Sequence, residues 1–287
     1  MQNFVMRFPE GKPKAMTFSY DDGVVEDLKL IELMKKYGIK ATFNYNSSHF
    51  AVADQDATLV LRDGHLTSTE LKTISTNPQF EIACHGHTHP YYTFLPQAAA
   101  TNDILTNRKE LERITGKIIK GFAYPSISAF NDVSESALKS VGIVYARLAT
   151  RNKNFSLPQN WYRWEPTCHH KEAIEIYKEF SQADVFLSNG LVMYVWGHSI
   201  EFARENNWEI IEELFKLCHL NPDIWFATNM EIYNYANDFK KLVFSADGSK
   251  AYNPTATDLW GVIDAKKRSK GGKLIKIPAG ETVSLLL

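Results

Sequence analysis

His85-Gly86-His87-Thr88-His89-Pro90 and Asp21-Asp22-Gly23 are the stretches of this chain best suited to holding a cation. His85 and His89 stand at positions i and i+4, which project side by side on a helical turn, so both imidazoles can reach one ion. His87, between them, then faces away as a solvated or supporting histidine. The aspartate pair suits a turn in any case, because aspartate favours turns and glycine supplies a positive φ. Two adjacent carboxylates also repel in a partly buried site, and a cation relieves that repulsion. One carboxylate with two imidazoles leaves coordination positions open, as catalytic zinc requires. An ion held that way polarises a carbonyl and brings water toward a pKa of about 7. The second aspartate is left to accept a proton. His198, after the apolar run 191–196, reads either as a core residue beside Trp196 or as a general acid.

Such residues work together only if the elements before them end at one place. The run 15–19 predicts a strand leading into Asp21-Asp22-Gly23, and Leu28, Ile31 and Met34 recur at helical spacing before Gly38. Residues 41–45 predict a strand, Thr67-x-x-Glu70 a capped helix to Ile74, and 80–84 a strand ending at the histidine-rich turn. Further strands are predicted over 118–124, 143–148, 191–196 and 225–227. Helices are predicted between Pro96 and Gly116 and over 133–141, 171–180, 208–218 and 230–239. About seven β/α units of this kind predict a parallel α/β barrel, whose working residues collect at the C-terminal ends of its strands. All three polar clusters fall at such ends. After Phe239 come the short apolar stretches 241–245, 258–263, 274–277 and 282–286, separated by turn residues. The division expected is a barrel over 1–239 and an antiparallel β appendage over 240–287, too small to stand alone and packed on the barrel.

The whole-chain numbers fit an enzyme more readily than a polyelectrolyte binder. A length of 287 residues with 44% hydrophobic content supports a large core, and a net charge of -1 supplies no field for nucleic acid or an anionic membrane. The basic run Lys266-Lys267-Arg268-Ser269-Lys270 reads as a solvated hairpin tip. Cys84, Cys168 and Cys218 are odd in number and unrelated in spacing, so no disulfide framework is expected. Residues 1–9 lack a basic segment followed by an apolar one, and no run is long enough to span a bilayer. A cytoplasmic protein is the expectation; the oligomeric state is open.

In this order, the motifs resemble those of the polysaccharide deacetylases of NodB type, carbohydrate esterase family four. Thr17-Phe18-Ser19-Tyr20-Asp21-Asp22-Gly23 is similar to that family's T-F-D-D-G with two residues inserted, and Ala41-Thr42-Phe43 to its A-T-F. Glu81-Ile82-Ala83-Cys84-His85 with His89-Pro90 is similar to its His-x-x-x-His-Pro motif, and Val195-Trp196-Gly197-His198 to its closing histidine. The resemblance covers residues 15–227 and implies an irregular (β/α) barrel with a metal-dependent hydrolase that removes acetyl groups from carbohydrate. It implies Asp21 as base, Asp22, His85 and His89 as ligands of one divalent ion, zinc first among candidates, and His198 as acid. The N–H of Ser126 would serve the oxyanion, and Tyr124, Trp161, Trp164 and Trp196 the acetylated sugar. Two departures stand out. Gly86 replaces the Ser or Thr that usually follows the first histidine, so another group, Thr88 being one, must order that loop. In the third motif, usually R-x-P-Y, the stretch reads Ala123-Tyr124-Pro125-Ser126, and Arg147 or Arg163 would have to replace the missing arginine. The fourth motif has no clean counterpart; Trp161-Tyr162-Arg163-Trp164 offers either a sugar-stacking surface or core. Cys168-His169-His170 reads as the edge of a cleft. Two other functions compete: hydrolysis of C–N bonds in small amides, and a degenerate barrel that only binds carbohydrate.

Overall fold

The computed structural model describes residues 4–50, 64–127, 130–185, 188–263 and 272–286. The basic run 266–270 lies outside them. In chain order the elements are β1 (Phe4–Arg7), β2 (Lys14–Asp21), α1 (Asp27–Tyr37), β3 (Ala41–Tyr45), α2 (Ser68–Thr76), β4 (Phe80–Cys84), α3 (Gln97–Thr115) and β5 (Gly121–Ala123). They continue with α4 (Asp132–Ser140), β6 (Tyr145–Arg147), β7 (Cys168–His169), α5 (Ala173–Gln182), β8 (Leu191–Gly197), α6 (Ser199–Arg204), α7 (Trp208–Cys218), β9 (Ile224–Phe226) and α8 (Asn229–Phe239). The C-terminal strands are β10 (Val243–Phe244), β11 (Lys250–Tyr252), β12 (Leu259–Ile263), β13 (Lys273–Ile277) and β14 (Thr282–Ser284).

A curled parallel sheet in the order β6-β5-β4-β3-β2-β8-β7 forms the body, with β9 beside the start of β2. Every residue of β2 and β3 is buried, as expected for strands covered on both faces by helices. The sheet splays at β2: β9 pairs with Lys14–Met16, whereas β3 pairs with Ser19–Asp21. A single parallel bridge from Arg147 to Trp164, just before β7, carries the sheet round from β6 toward β8. This is the NodB-like half-barrel architecture.

Local chemistry accounts for the helices. In α1, Leu30, Ile31 and Met34 face the core, and Gly38 closes the last turn in the left-handed region. Reciprocal capping boxes start α2 at Thr67 with Glu70 and α8 at Thr228 with Glu231. Among the described residues, no helix is long and apolar enough to cross a membrane.

Four elements escape the periodicity: β1, the two-residue β7, the six-residue α6 and the three-residue β11 are too short to show a repeat. Strand β1 does not join the barrel sheet. It pairs antiparallel with β12, which pairs with β13, while β10, β11 and β14 form a second small sheet. The appendage is therefore built from both chain termini. Its Leu259, Ile263, Ile275 and Ile277 share a core with Met6, Phe8, Val192 and Tyr194.

Candidate catalytic site

Five parallel strands end at one face and deliver the site. β2 ends at Asp21 and Asp22, β4 at His85, β5 at the Tyr124-Pro125-Ser126 turn, β6 at Arg147 and β8 at His198. Asp21 is the last residue of β2 and buried. Asp22 adopts φ 77°, which swings its carboxylate out of the strand's alternation. Left-handed backbone is costly for a non-glycine residue and collects where function requires it.

Asp22 Oδ1 lies 3.5 Å from His85 Nε2 and 3.6 Å from His89 Nε2. The two imidazoles meet edge to face, with ring centroids 5.0 Å apart. His85 and His89 are not on a helical turn as their spacing suggested. They sit on an irregular loop in which Gly86 has φ 83° and His89 φ 54°, and those two left-handed residues, not helical geometry, turn the rings together. His85 Nδ1 donates to the Ala123 carbonyl at 2.8 Å, which leaves Nε2 as the free acceptor. Both His85 Nε2 and Asp22 Oδ1 are buried without a hydrogen-bond partner among the described residues. Unpartnered acceptor atoms converging with His89 fit a cation that needs one carboxylate and two neutral imidazoles. Burial works against charge on Asp22, but His85, His198 and His89 outweigh it and hold its carboxyl below the ordinary range. Burial and the neighbouring His85 keep His89 below its usual value, hence neutral.

The loop is ordered from α3. Asp103 accepts from the N–H groups of His87 and Thr88, at 2.9 and 3.1 Å, and from the hydroxyls of Thr88 and Tyr92, at 2.8 and 2.6 Å. Asn107 Oδ1 accepts from His85 N–H at 3.0 Å. Thr88 thus acts as one arm of the Asp103 clamp, and His87 bonds Ser47 at the side. A Cβ on residue 86 would lie 2.6 Å from the Tyr92 hydroxyl, so the clamp and a side chain at that position exclude each other.

Asp21 accepts from Arg147 Nη2 and, at 2.8 Å, from Asn44 Nδ2. Arg147 is fully buried, and its guanidinium lies 4.6 Å above the Trp196 ring. Of the two replacements considered for the missing arginine, Arg147 reaches the aspartate. Arg163 bonds Asp132 and Glu135 at the surface instead.

His198 Nε2 faces the pair, 3.9 Å from Asp21 Oδ2 and 3.8 Å from Asp22 Oδ2. Its Nδ1 is 2.9 Å from Glu201 Oε1, one turn into α6. Burial opposes protonation of His198, but the Glu201 hydrogen bond and the two aspartate charges outweigh it and raise its pKa. Glu201 also meets His169 Nε2 at 3.3 Å and Lys171 Nζ at 2.9 Å. His169, His198 and Glu201 are close enough to hold an ion, but the Lys171 ammonium already neutralises that carboxylate, so these residues read as a brace for His198. His170 stacks on Tyr20 and Phe202, and its Nδ1 would lie 2.0 Å from a Cβ on residue 197, so only glycine can precede His198.

Residues 9–146 match the polysaccharide deacetylase family. No curated protein matches significantly. A candidate polysaccharide deacetylase of Mycobacterium smegmatis is similar in fold, with a TM-score of 0.59 at 14% identity over 84% of this chain and 96% of that one. The Xyl-CE4 domain of a multidomain xylanase from the hindgut metagenome of Trinervitermes trinervoides has a TM-score of 0.52 at 15% identity, covering 78% and 91%. The chain spans 55% of the Streptococcus pyogenes deacetylase PplD, at 18% identity over 47% of its own length and a TM-score of 0.40.

Within this deacetylase fold, two chambers flank the aspartate pair. One, of about 380 Å³, is lined by Asp21, Tyr124, Pro125, Ser126, Trp196 and His198 among others. The other, of about 650 Å³, contains Asp22, His65, His198, Glu201, Arg204 and Glu205. Tyr124, Ser126 and Trp196 therefore lie where a substrate can reach. Trp161 and Trp164 line neither chamber. They are 9% and 2% exposed, their rings 4.9 Å apart, and they pack with Tyr194 and Tyr233 in the core. For both, this packing favours the core alternative over the sugar-stacking one: apolar closure of the barrel beside the Arg147–Trp164 bridge occupies those faces.

Proposed function

We propose that this chain is a polysaccharide deacetylase, a metal-dependent hydrolase that removes acetyl groups from carbohydrate. The observation that carries the proposal is the convergence of two buried, unpartnered acceptors, Asp22 Oδ1 and His85 Nε2, with His89 Nε2, beside a second carboxylate and a facing histidine. Asp22, His85 and His89 hold the divalent ion, zinc first among candidates by donor chemistry. Bound there, it supplies a Lewis acid that polarises the acyl carbonyl and acidifies water.

The chain's own groups do the rest. Asp21 accepts the proton of the attacking water, fixed in orientation by Arg147 and Asn44. The water oxygen bonds to the acyl carbon, and the N–H of Ser126, a residue lining the same chamber as Asp21, is the donor assigned to the oxyanion that develops. His198, braced by Glu201, gives a proton to the departing nitrogen or oxygen as the bond to the acyl carbon breaks, and acetate leaves. Tyr124 and Trp196 bound the acyl side. Arg147 and Asp103, which bond where Ala123 and Gly86 cannot, support catalysis over a degenerate barrel that only binds carbohydrate.

The test is metal content together with acetate release from a panel of N- and O-acetylated sugars. About one equivalent of zinc and acetate release are expected, with both lost in Asp22→Ala. Full activity with retained metal in that variant would end the assignment. Turnover of small linear or cyclic amides without acetate release from any sugar would move the substrate class.

A further inference from the structure

A third cavity lies away from the catalytic face. It measures about 500 Å³ and opens where β1, the end of α8 and the start of β8 meet, at the seam between barrel and appendage. Leu191, which lines it, begins β8, and His198 follows the last residue of that strand. At about 3.3 Å per residue, the cavity is therefore on the order of 20 Å from the catalytic histidine. Its apolar side is made by Phe4, Met6, Leu157, Trp161 and Phe239, of which Phe4, Leu157 and Phe239 are only partly buried. Its charge has one sign: among the described residues, Lys240 is the single charged side chain that lines it. Lys240 is exposed, has no carboxylate partner among the described residues, and holds its ammonium 5.9 Å from the centre of the Trp161 ring. Behind the wall, Arg7 is 6% exposed and donates to carbonyls alone, those of Met6, Val185 and Ser188, at 2.8 to 2.9 Å. Two cations thus border the cavity, neither paired with an acid among the described residues. The indole N–H of Trp161 is likewise buried without an acceptor among them, and an unpaired buried donor is costly.

We infer that this cavity binds a small organic anion, a carboxylate on a hydrocarbon body, with the carboxylate at Lys240 and the body laid over Trp161 against Leu157 and Phe239. The volume suits a small ligand, and apolar walls with one fixed charge are what such sites use to bind and orient it. The carboxylate pairs with the ammonium in a charge-assisted contact, while the hydrocarbon covers apolar surface now left partly in water. An exposed ion pair alone is weak, so affinity rests on the apolar body and the choice of an anion on Lys240. The site is independent of the chemistry at Asp21 and Asp22 and stands whatever bond the chain hydrolyses.

Titration calorimetry of the zinc-loaded chain with octanoate and with octan-1-ol, equal in length and uncharged, tests this. Octanoate is expected to bind about five-fold more tightly than the alcohol. That advantage should vanish in Lys240→Gln and persist in Lys240→Arg and in Lys241→Gln, which removes the neighbouring charge instead. Lys240 and Lys241 are both exposed, so these variants keep the fold. Leu157→Trp, which fills the cavity, should weaken both ligands. Absence of saturable binding, equal affinity for the two ligands, an advantage that survives Lys240→Gln, or indifference to Leu157→Trp overturns the proposal. A carboxylate is also a ligand for the catalytic ion, so Asp22→Ala serves as the control. Octanoate binding unchanged in that variant supports the remote cavity, whereas binding lost there places the carboxylate on the ion and overturns it.

Discussion

The fully buried Arg147 is the most telling single residue, because a charge enclosed that way is costly unless its partner repays it. Its partner is Asp21, and Arg147 Nε and Nη1 are buried without a bond among the described residues, so stability alone gives little reason for an arginine here. Holding the base in one orientation does. Arg147→Met should destabilise the fold by about 3 to 5 kcal/mol, since it strands the Asp21 charge, and lower kcat by on the order of 10²-fold. Adding Asp21→Asn should restore most of the stability and none of the activity, a non-additivity that denaturant melts and acetate release would read together. Additive stability losses would mean that the two side chains do not act as a pair. Gly86 makes the complementary case. Gly86→Ser brings the loop closer to the family's usual motif, yet φ 83° and the nearby Tyr92 hydroxyl should make it harmful, by about 1 to 3 kcal/mol, with weaker zinc binding by calorimetry. A neutral or stabilising result would show that the Asp103 clamp can yield.

At the scale of elements, the site depends on α1 and α6 keeping their register behind it. Asp27, in the first turn of α1 and fully buried, accepts from the Ser199 hydroxyl at 2.6 Å, and Ser199 directly follows His198. Burial, with the charges of Asp22 and Asp21, raises its pKa well above the ordinary range, so the group is a neutral strut. Asp27→Asn should therefore be close to native, while Asp27→Ala should lower kcat with KM and zinc content unchanged, as the His198 junction loses its brace. Equal losses in both variants would assign Asp27 a charge-dependent role instead. The main β/α alternation was legible because caps and apolar spacing are local signals: the Thr67–Glu70 box and Gly38 stand where the helices begin and end. What the sequence hid is non-local. Nothing in the spacing of Asp103, Asn107 or Glu201 tells that they reach the loops of His85 and His198, and Arg147 was only one of two weak candidates. Trp161 and Trp164 look alike as sugar platform and as core, since burial is decided by elements far off in the chain.

For the molecule as a whole, the joined core argues that barrel and appendage unfold together. Strand β1 leaves the barrel to pair with β12, and Tyr235 both donates to the Arg7 carbonyl, at 2.7 Å, and accepts from Trp260 N–H, at 3.0 Å. We propose one cooperative unit, and a buried acid offers a way to read it. Glu81 on β4 accepts from Thr42 of β3 at 2.8 Å, from Tyr145 of β6 at 2.7 Å and from the Met230 N–H at the start of α8 at 2.9 Å. Burial pushes its carboxyl up to about 7, and the three donors offset that only in part. Its folded pKa thus exceeds its unfolded one, so the folded chain binds the extra proton between them. That contribution is complete below the unfolded value and is lost as pH rises through about 7. From about pH 5 to about pH 8, stability should fall by at most about 3 kcal/mol on this account, and Glu81→Gln should flatten the slope. Because Glu81 touches only barrel elements, the same slope should appear in a probe of the appendage, such as Trp260 fluorescence, if the whole chain melts as one. Parallel slopes for the native chain and Glu81→Gln would remove Glu81 as the source. A Trp260 transition indifferent to pH, beside a barrel transition that follows it, would separate the appendage from the barrel.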